Sequence, residues 1–253
     1  MLTQPTIDKL HAMKLGAMAK AFIDQIQTPD MASLSFEERF ALLVDCQMTD
    51  LENRRMMNRL KNARLRINAC IEDLDCKQGR GLDRAAVMSL ALNLWVKHHH
   101  NILVTGPTGV GKSYLACALA QKACRDGHST LYQRAPRMLH ELALSRLDGR
   151  YAKLFAPLGK CEVLILDDLL ITPMSKEEQR EILEIVEERY DRKSTIVTSQ
   201  LPLKDWHSAM QDPTLADAIL DRLVHNAHKL ELKGESMRRK RSVLDPKTES
   251  GTE

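Results

Sequence analysis

The spacing of hydrophobic positions changes near residue 100 of this chain. Before that point, apolar residues recur every three or four positions. The clearest stripe, within Ile7–Gln27, consists of Leu10, Met13, Ala17 and Ala21. This period is typical of amphipathic helices rather than of strands. We therefore expect the segment before residue 100 to be almost entirely helical.

Two capping patterns predict where further helices begin. Ser35-x-x-Glu38 and Thr49-x-x-Glu52 both match the capping box, in which a hydroxyl and a carboxylate satisfy backbone N–H groups of the first helical turn. We expect one helix to begin at each pattern. The apolar stripe of the second helix would consist of Met56, Leu60, Ala63, Ile67, Ile71 and Leu74.

From Asn101 onward, short apolar runs alternate with helical patterns. The predicted strands are Ile102–Thr105, Ser129–Gln133, Val163–Asp167 and Thr195–Thr198. The predicted helices are Lys112–Asp126, Pro136–Arg146 with Tyr151–Phe155, Lys176–Tyr190 (capped by Ser175-x-x-Glu178) and Leu215–Leu220. Strands separated by helices imply a parallel sheet with helices on its faces. The predicted fold class is α/β, preceded by a small all-helical domain.

The first predicted strand leads directly into a phosphate-binding motif. The run Asn101–Ser113, NILVTGPTGVGKS, contains the full P-loop pattern G-x-x-x-x-G-K-S/T between a strand and a helix. In a P-loop, backbone N–H groups and the helix N-terminus surround the phosphates, the lysine reaches the β- and γ-phosphates, and the hydroxyl ligates Mg²⁺. The predicted nucleotide-binding residues are Gly106, Pro107, Thr108, Gly109, Val110, Gly111, Lys112, Ser113 and Tyr114.

A second apolar strand ends in two acidic residues. Val163–Asp168, VLILDD, matches the Walker B pattern, in which an Asp at the strand end holds Mg²⁺. We expect Asp167 to bind Mg²⁺ together with Ser113, and Asp168 to act as the general base toward water. The alternative is a buried strand with two exposed acidic caps. Because the chain has no N-K-x-D guanine motif, we expect ATP rather than GTP; a small-molecule kinase is a weak rival.

Three later polar residues are further candidates for the catalytic site. In a parallel sheet, the strand Thr195–Thr198 would deliver Ser199 and Gln200 beside the γ-phosphate, where either could sense the phosphate or position water. A plain strand-end turn before Pro202 is the alternative. Arg222 follows a helical pattern and is a candidate arginine finger, which stabilises transition-state charge. From local sequence alone, a surface ion-pair role for Arg222 is favoured.

Composition and charge narrow the class of protein and its partners. The chain has 253 residues, of which 43% are hydrophobic and 28% charged, and no apolar run is long enough to span a membrane. We expect a cytoplasmic protein with no membrane partner, with its six cysteines reduced. Basic residues without any acid occupy Asn53–Arg66, and a second basic block covers 238–241. Such clusters indicate a polyanionic partner.

The basic segment Asn53–Arg66 supplies the predicted DNA contacts. These are Arg54, Arg55, Arg59, Lys61, Arg64 and Arg66. A solvated helix face is the alternative reading. A further basic set is either a second DNA-contacting surface or a solvated helix face; it consists of Arg134, Arg137, Arg146, Arg150 and Lys153.

Several motifs together resemble one family along nearly the whole chain. GPTGVGKS, VLILDD, TIVTSQLPLKDW, DPTLADAILDRLVHNAH and ELKGESMRRK are similar to segments of the IstB-type transposition helper ATPases. These belong to the initiator clade of AAA+ proteins, with DnaC-type helicase loaders as relatives. The segment 212–240 is more specific than the P-loop, which many unrelated proteins share.

The resemblance implies a homo-oligomer with ATP between subunits. Arg222 would then act in trans on the nucleotide of a neighbouring subunit. This interpretation replaces the surface ion-pair role that the local sequence alone favours. Arg238 is a weaker candidate for a second sensor, since little sequence remains for a helical lid. Walker B ends Asp-Asp here, whereas many AAA+ proteins carry Asp-Glu. This departure suggests slow or regulated hydrolysis.

The resemblance also implies a function and a domain organisation. The expected function is ATP-dependent assembly on double-stranded DNA that assists a partner transposase in DNA transposition. The alternatives are a DnaC-type helicase loader and a nucleotide-gated DNA scaffold with negligible turnover. The expected domains are a helical DNA-binding domain over 1–78, an AAA+ domain over 79–241, and a disordered tail over 242–253.

Overall fold

The chain divides into two compact units. The computed structural model describes residues 3–76 and 81–237. By their internal contacts, the units are Met1–Asn58 and Arg59–Glu253, so the division falls inside one long helix, α3 (Phe36–Ala63). The predicted domain boundaries stay a prediction, and the tail over 242–253 lies outside the described residues.

The first unit consists of helices. They are α1 (Thr3–Ala12), α2 (Gly16–Gln27), a short 3-10 helix (Pro29–Ser33) and the greater part of α3. The single helix predicted over Ile7–Gln27 is therefore two helices, because Lys14 adopts a left-handed φ of 62° between them. The buried side-chain amide of Gln47 accepts a hydrogen bond from the Met18 backbone at 3.1 Å, which fixes α2 against α3.

One of the two predicted helix starts in this region is confirmed. The Ser35 hydroxyl accepts from the Glu38 backbone N–H at 3.2 Å, and the Glu38 carboxylate accepts from the Ser35 backbone at 2.8 Å. The start predicted at Thr49 is wrong, since α3 passes through it without a break. In a helix interior those side chains lose their capping role because every backbone N–H already has an intrahelical acceptor.

The helix α3 also ends earlier than the apolar stripe predicted. Its last residue is Ala63, and Arg64 takes a φ of 51°, which is outside the helical region. Ile67, Ile71 and Leu74 therefore do not continue a helical face. They pack instead in or against the apolar core of the second unit, so their hydrophobicity reports burial rather than helical period.

The second unit is built around a five-stranded parallel sheet. Its strands are β1 (Asn101–Thr105), β2 (Thr130–Arg134), β3 (Val163–Leu169), β4 (Ser194–Ser199) and β5 (Ala227–Glu231). Their spatial order is β2-β3-β4-β1-β5, and every neighbouring pair is parallel. The predicted α/β class and the four predicted strands are confirmed. The edge strand β5 was not predicted, because its partly exposed sequence AHKLE lacks an apolar run.

Helices cover both faces of this sheet. They are α4 (Arg84–Ala91), α5 (Leu94–Lys97), α6 (Lys112–Arg125), α7 (Ala135–Leu147), α8 (Tyr151–Lys160), α9 (Lys176–Arg189) and α10 (Pro213–Val224). Alternation along the strands divides the core: Val104 and Ile165 pack with α4 and α6, while Leu103 and Leu164 pack with α7, α9 and α10. The capping box predicted at Ser175 is present.

The described helices are shorter or more polar than a membrane span requires. Within residues 3–76 and 81–237, none combines the length and the apolar character that a bilayer span requires.

Candidate nucleotide-binding site

A cavity of about 380 Å³ lies at the carboxyl-terminal edge of the sheet. Parallel strands end at the same edge, so the polar residues that follow β1, β3 and β4 meet there. The predicted site residues that line this cavity are Thr108, Gly109, Gly111, Lys112, Ser113, Tyr114, Asp168 and Gln200. The structure thus brings the P-loop, the second Walker B acid and the end of β4 together.

The P-loop connects β1 to α6 through glycines in left-handed conformations. Gly106, Gly109 and Gly111 have φ values of 143°, 83° and 105°. A Cβ on Gly106 would collide with the Leu232 carbonyl, so this position requires glycine for close packing as well as for its backbone angle. The Lys112 ammonium donates to the Gly106 and Pro107 carbonyls at 2.7 and 2.8 Å. The lysine therefore lies along the loop that it is predicted to serve.

The Asp167 carboxylate is completely buried and accepts hydrogen bonds from three hydroxyl groups. Ser113 Oγ and Thr198 Oγ1 donate to Oδ1 at 2.7 and 2.6 Å, and the Tyr132 hydroxyl donates to Oδ2 at 2.6 Å. A buried carboxylate needs such donors, because its charge is otherwise costly in a low-dielectric interior. Burial, with Asp167 beside it, raises the pKa of Tyr132, so the phenol stays protonated and remains a donor.

The pair Ser113 and Asp167 fits a magnesium ion bound together with phosphates. Hydroxyl and carboxylate oxygens are the ligand types that Mg²⁺ prefers, and this pair is the one that P-loop NTPases use. Among the described residues, no group of three or more His, Cys, Asp or Glu side chains is placed to hold a metal. Ser113 and Asp167 would supply two oxygen ligands, and nucleotide oxygens and water would supply the others.

The predicted general base, Asp168, is held by an arginine. Its Oδ2 accepts from Arg134 Nε at 2.9 Å, and its backbone N–H donates to the Thr198 hydroxyl at 3.0 Å. The residue adopts a φ of 59°, which is uncommon for a non-glycine residue and turns the chain at the end of the Walker B run. Asp168 reaches the cavity, but its carboxylate is engaged with Arg134 in this conformation.

The two candidates after β4 differ in what their side chains contact. Gln200 lines the cavity, and its Oε1 accepts from the Thr108 hydroxyl of the P-loop at 2.7 Å. Ser199 is fully buried, and its hydroxyl donates to the Leu169 carbonyl at 2.7 Å. The structure therefore brings Gln200 to the P-loop, whereas the Ser199 hydroxyl satisfies the backbone of β3.

Arg222 lies at the opposite edge of the sheet from the P-loop. The side chain of Asn101, the first residue of β1, donates to the Arg222 carbonyl at 3.2 Å, whereas the P-loop follows the last residue of β1. Five residues of strand separate these points, a distance of roughly 13 Å. The guanidinium donates to Glu187 at 2.6 Å and to the Ala218 carbonyl at 2.9 Å. Its role as a finger stays a prediction.

The predicted DNA contacts fall into two groups by their partners. Arg55, Lys61 and Arg64 are exposed, and Arg54 pairs with Asp50 at 2.8 Å while keeping 58% of its side chain exposed. In contrast, Arg59 Nε donates to the Cys124 carbonyl at 2.8 Å, and Arg66 lines the nucleotide cavity. Arg66 lies beyond the helix that was expected to carry it. DNA contact by any of the six stays a prediction.

The second basic set is largely paired with acids. Arg134 contacts Asp168, Arg137 contacts Glu141, Arg146 contacts Glu181 and Glu184, and Arg150 contacts Asp148. Its positive charge is thereby offset locally. Arg238 and the basic block 238–241 lie outside the described residues.

Four residues that the sequence left without a role at this site surround the Walker B acids. They are Arg66, Tyr132, Arg134 and Thr198. Thr198 carried a partial signal, because a Thr ends the apolar run of β4 beside Ser199. No sequence pattern indicated that Tyr132 and Arg134 lie at this site. Their position depends on how β2 pairs with β3, which no local motif records.

Comparisons with known proteins also indicate a nucleotide-binding protein. A family model described as "IstB-like ATP binding protein" matches residues 8–244. A putative insertion sequence ATP-binding protein of Sinorhizobium fredii is 51% identical over 239 residues, which cover 94% of this chain and 98% of that protein.

Two solved structures are similar in fold. DnaI is 23% identical with a TM-score of 0.59, covering 66% of this chain and 92% of DnaI. The DnaC helicase loader is also 23% identical, with a TM-score of 0.54 and coverages of 66% and 97%. At these identities the likeness shows a shared fold, the AAA+ fold, and the expectation of an AAA+ core is confirmed.

These findings establish the biochemical class. The P-loop, the Walker B strand and the parallel sheet of an AAA+ protein occur together with relatives named for ATP binding. The chain is an ATP-binding P-loop ATPase. It belongs to the family of IstB-like ATP binding proteins.

Proposed function

We propose that this ATPase assembles on double-stranded DNA in the cytoplasm and assists a partner transposase by presenting target DNA. The observation that supports this most strongly is the relationship to an insertion sequence ATP-binding protein over 94% of the chain. A protein of an insertion sequence serves the movement of that DNA element. ATP binding would promote assembly, and hydrolysis would release or remodel the complex.

The residues of the cavity have separate roles in this proposal. Lys112 and the P-loop backbone bind the phosphates, and Ser113 and Asp167 hold Mg²⁺. Asp168 accepts a proton from the attacking water once Arg134 no longer holds its carboxylate. Gln200 positions the water or senses the γ-phosphate through its place beside Thr108; Ser199, the other candidate, supports the end of β3. Bound Mg²⁺ would offset the charge that develops on the phosphates.

The placement of Arg222 supports an oligomer with ATP between subunits. The residue lies at the amino-terminal edge of the sheet, while the P-loop of the same chain lies at the carboxyl-terminal edge. A single copy therefore does not bring its own Arg222 to its own phosphates. In the proposed assembly, Arg222 of one subunit leaves Glu187 and completes the site of the next.

The helix α3 and Arg64, the residue that follows it, supply the proposed DNA contact. Arg54, Arg55, Lys61 and Arg64 leave their charge accessible, whereas Arg59 donates to the Cys124 carbonyl and Arg66 lines the nucleotide cavity. Lysine and arginine contacts to phosphates give affinity and salt dependence without reading sequence. This accords with a protein that presents many DNA sites to a partner.

ATP hydrolysis with and without duplex DNA, over a salt series, tests this proposal. We expect strong stimulation by duplex DNA that disappears as salt rises. The variant with Arg55, Lys61 and Arg64 changed to Gln should lose most of the stimulation. In a parallel binding titration, the slope of the logarithm of its DNA-binding constant against the logarithm of salt concentration should become shallower by about 0.9 for each lost phosphate contact. Changing Lys9, Lys14 and Lys20, three exposed lysines of the first unit, to Gln removes the same amount of charge and should leave the stimulation nearly intact.

The same experiment separates the transposition helper from a helicase loader. If hydrolysis ignores DNA and no binding occurs at low salt, the helper proposal fails. A pull-down against a replicative helicase would then test the loader alternative directly. A hydrolysis-deficient Asp168 variant that retains every DNA-dependent activity would instead support a nucleotide-gated scaffold.

A further inference from the structure

Arg66 lines the nucleotide cavity although it belongs to none of the motifs that predicted the site. Helix α3 ends at Ala63, Arg64 adopts a φ of 51°, and only three residues after the helix Arg66 lines the cavity beside Lys112 and Ser113. This arginine therefore enters the site from the segment before the sheet. It belongs neither to the P-loop nor to the Walker B strand.

The backbone around Arg66 is fixed against α6, the helix that begins at the P-loop. Arg59 Nε donates to the Cys124 carbonyl at 2.8 Å, and Glu72 pairs with Arg125 at 2.9 Å. Ala69 and Ile71 are buried in the core that packs against α6. Contacts on both sides of Arg66 thus hold this segment in place, and its side chain reaches the cavity from a supported position.

Within the cavity, Arg66 approaches the buried Walker B carboxylate. Its Nη1 lies 3.8 Å from Asp167 Oδ2, the same oxygen that accepts a hydrogen bond from the Tyr132 hydroxyl. The other oxygen, Oδ1, accepts from Ser113. Arg66 and the proposed metal ligand Ser113 therefore meet the carboxylate at different oxygens. The Arg66 side chain is 47% exposed, so solvent screens part of its charge.

The charge balance of the cavity gives this contact a consequence. Asp167 is fully buried, Asp73, Asp75 and Asp168 line the cavity, and ATP would bring further negative charge to the same place. Among residues 3–76 and 81–237, the cationic side chains that line the cavity are Lys112, Arg66 and Arg134, and Arg134 is paired with Asp168. Arg66 is the one that lies beside the metal-binding carboxylate.

We propose that Arg66 is the counter-charge of Asp167 when Mg²⁺ is absent, and that it sets how strongly ATP binding depends on Mg²⁺. The inference rests on the proposed metal role of Ser113 and Asp167. Removing the guanidinium leaves the carboxylate and the phosphates facing each other with less positive charge. Metal-free binding of ATP then weakens, while Mg²⁺ still supplies the missing charge in the metal-loaded complex.

The test compares the dissociation constant of a fluorescent ATP analogue in Mg²⁺ and in EDTA, without DNA. For Arg66→Gln, we expect the ratio of the EDTA constant to the Mg²⁺ constant to rise by about tenfold over the natural protein, given the interaction of charges about 4 Å apart near a surface. Arg66→Lys should restore most of the natural ratio. Arg192→Gln, which removes an exposed arginine with the same change in charge, should leave it unaltered.

A second variant removes a hydrogen bond to Asp167 and leaves the charge of Arg66 in place. Tyr132→Phe keeps the ring and removes the hydroxyl that donates to Asp167 Oδ2, the oxygen that Arg66 approaches, so the ratio should move in the same direction by a smaller factor. An unchanged ratio in both Arg66→Gln and Tyr132→Phe overturns the inference. So does an equal loss of affinity with and without Mg²⁺, which would indicate a structural role for Arg66. If the natural protein itself binds ATP equally in Mg²⁺ and EDTA, the proposed metal role fails first.

Discussion

The two edges of the ATPase sheet differ in how their polar residues are used. At the carboxyl-terminal edge, the P-loop, Asp168 and Gln200 converge on one cavity of about 380 Å³. At the amino-terminal edge, Arg222 is tied to Glu187 and to the backbone of its own helix. The first edge holds nearly all the groups that are predicted to bind ATP. The second holds Arg222, whose partner in this conformation is the surface acid Glu187.

In the proposed assembly, this difference puts the two parts of one nucleotide site on different subunits. A strand of five residues separates the ends of β1, so the two edges of one copy do not meet. A second copy can bring its amino-terminal edge to the cavity of the first. ATP binding is therefore a property of each chain, whereas we propose that rapid hydrolysis is a property of the assembly.

Removing Arg222 should have the largest effect on hydrolysis. We expect Arg222→Ala to lower kcat by about 10³, because an arginine finger stabilises charge only in the transition state, and to leave ATP affinity nearly unchanged. Arg180→Ala removes an exposed arginine from α9 and serves as the matched control. A fall in ATP affinity as large as the fall in kcat would place Arg222 in nucleotide binding instead.

Asp168 tests the carboxyl-terminal edge. Asp168→Asn keeps the size of the side chain but cannot accept a proton from water, so hydrolysis should fall by about 10² while ATP still binds. Steady-state hydrolysis and nucleotide titration measure the two quantities. Asp221→Asn, an exposed acid on α10, should change neither. Retained hydrolysis in Asp168→Asn would remove this residue from the chemistry.

Thr198 supports both Walker B acids and should have an intermediate effect. Its hydroxyl donates to Asp167 and accepts from the Asp168 backbone, so Thr198→Val leaves both without this partner. We expect hydrolysis to fall by about tenfold, as for the loss of one or two buried hydrogen bonds. Thr198→Ser keeps the hydroxyl and should recover most of the rate. Equal rates for Val and Ser would contradict this role.

Breaking the Arg222–Glu187 pair should have the smallest effect. Glu187 is 52% exposed, and exposed ion pairs contribute about 0–1 kcal/mol to stability. Glu187→Gln should therefore change the urea midpoint little and alter hydrolysis by no more than about threefold. A loss of hydrolysis comparable to that of Arg222→Ala would show that the pair itself positions the arginine.

The motifs predicted the elements around the P-loop and the Walker B run better than they predicted the edge strand β5. The P-loop and the Walker B run are continuous in sequence, and each joins a buried strand to the residues that follow it. Such local patterns predicted β1, α6 and β3 nearly to the residue. The exposed edge strand β5 carried no comparable signal, since half-exposed strands need no apolar run.

The segment around α3 shows where local patterns mislead. The capping pattern at Thr49 lies inside a continuous helix, and the apolar residues Ile67 and Ile71 serve the ATPase core instead of a helical face. Arg66 was grouped with the basic helix by its position in sequence. Its contact with Asp167 depends on the turn at Arg64 and on long-range packing, neither of which is encoded as a motif.

Mixing two inactive variants tests the shared site most directly. Lys112→Met has a defective P-loop with an intact Arg222, and Arg222→Ala has the opposite defect, so each should hydrolyse ATP very slowly alone. If sites form between subunits, the mixture should hydrolyse ATP well above the sum of the two separate rates, because an Arg222→Ala P-loop can meet the arginine of a Lys112→Met subunit. A mixture no faster than that sum, under conditions where the subunits co-assemble, would contradict the account.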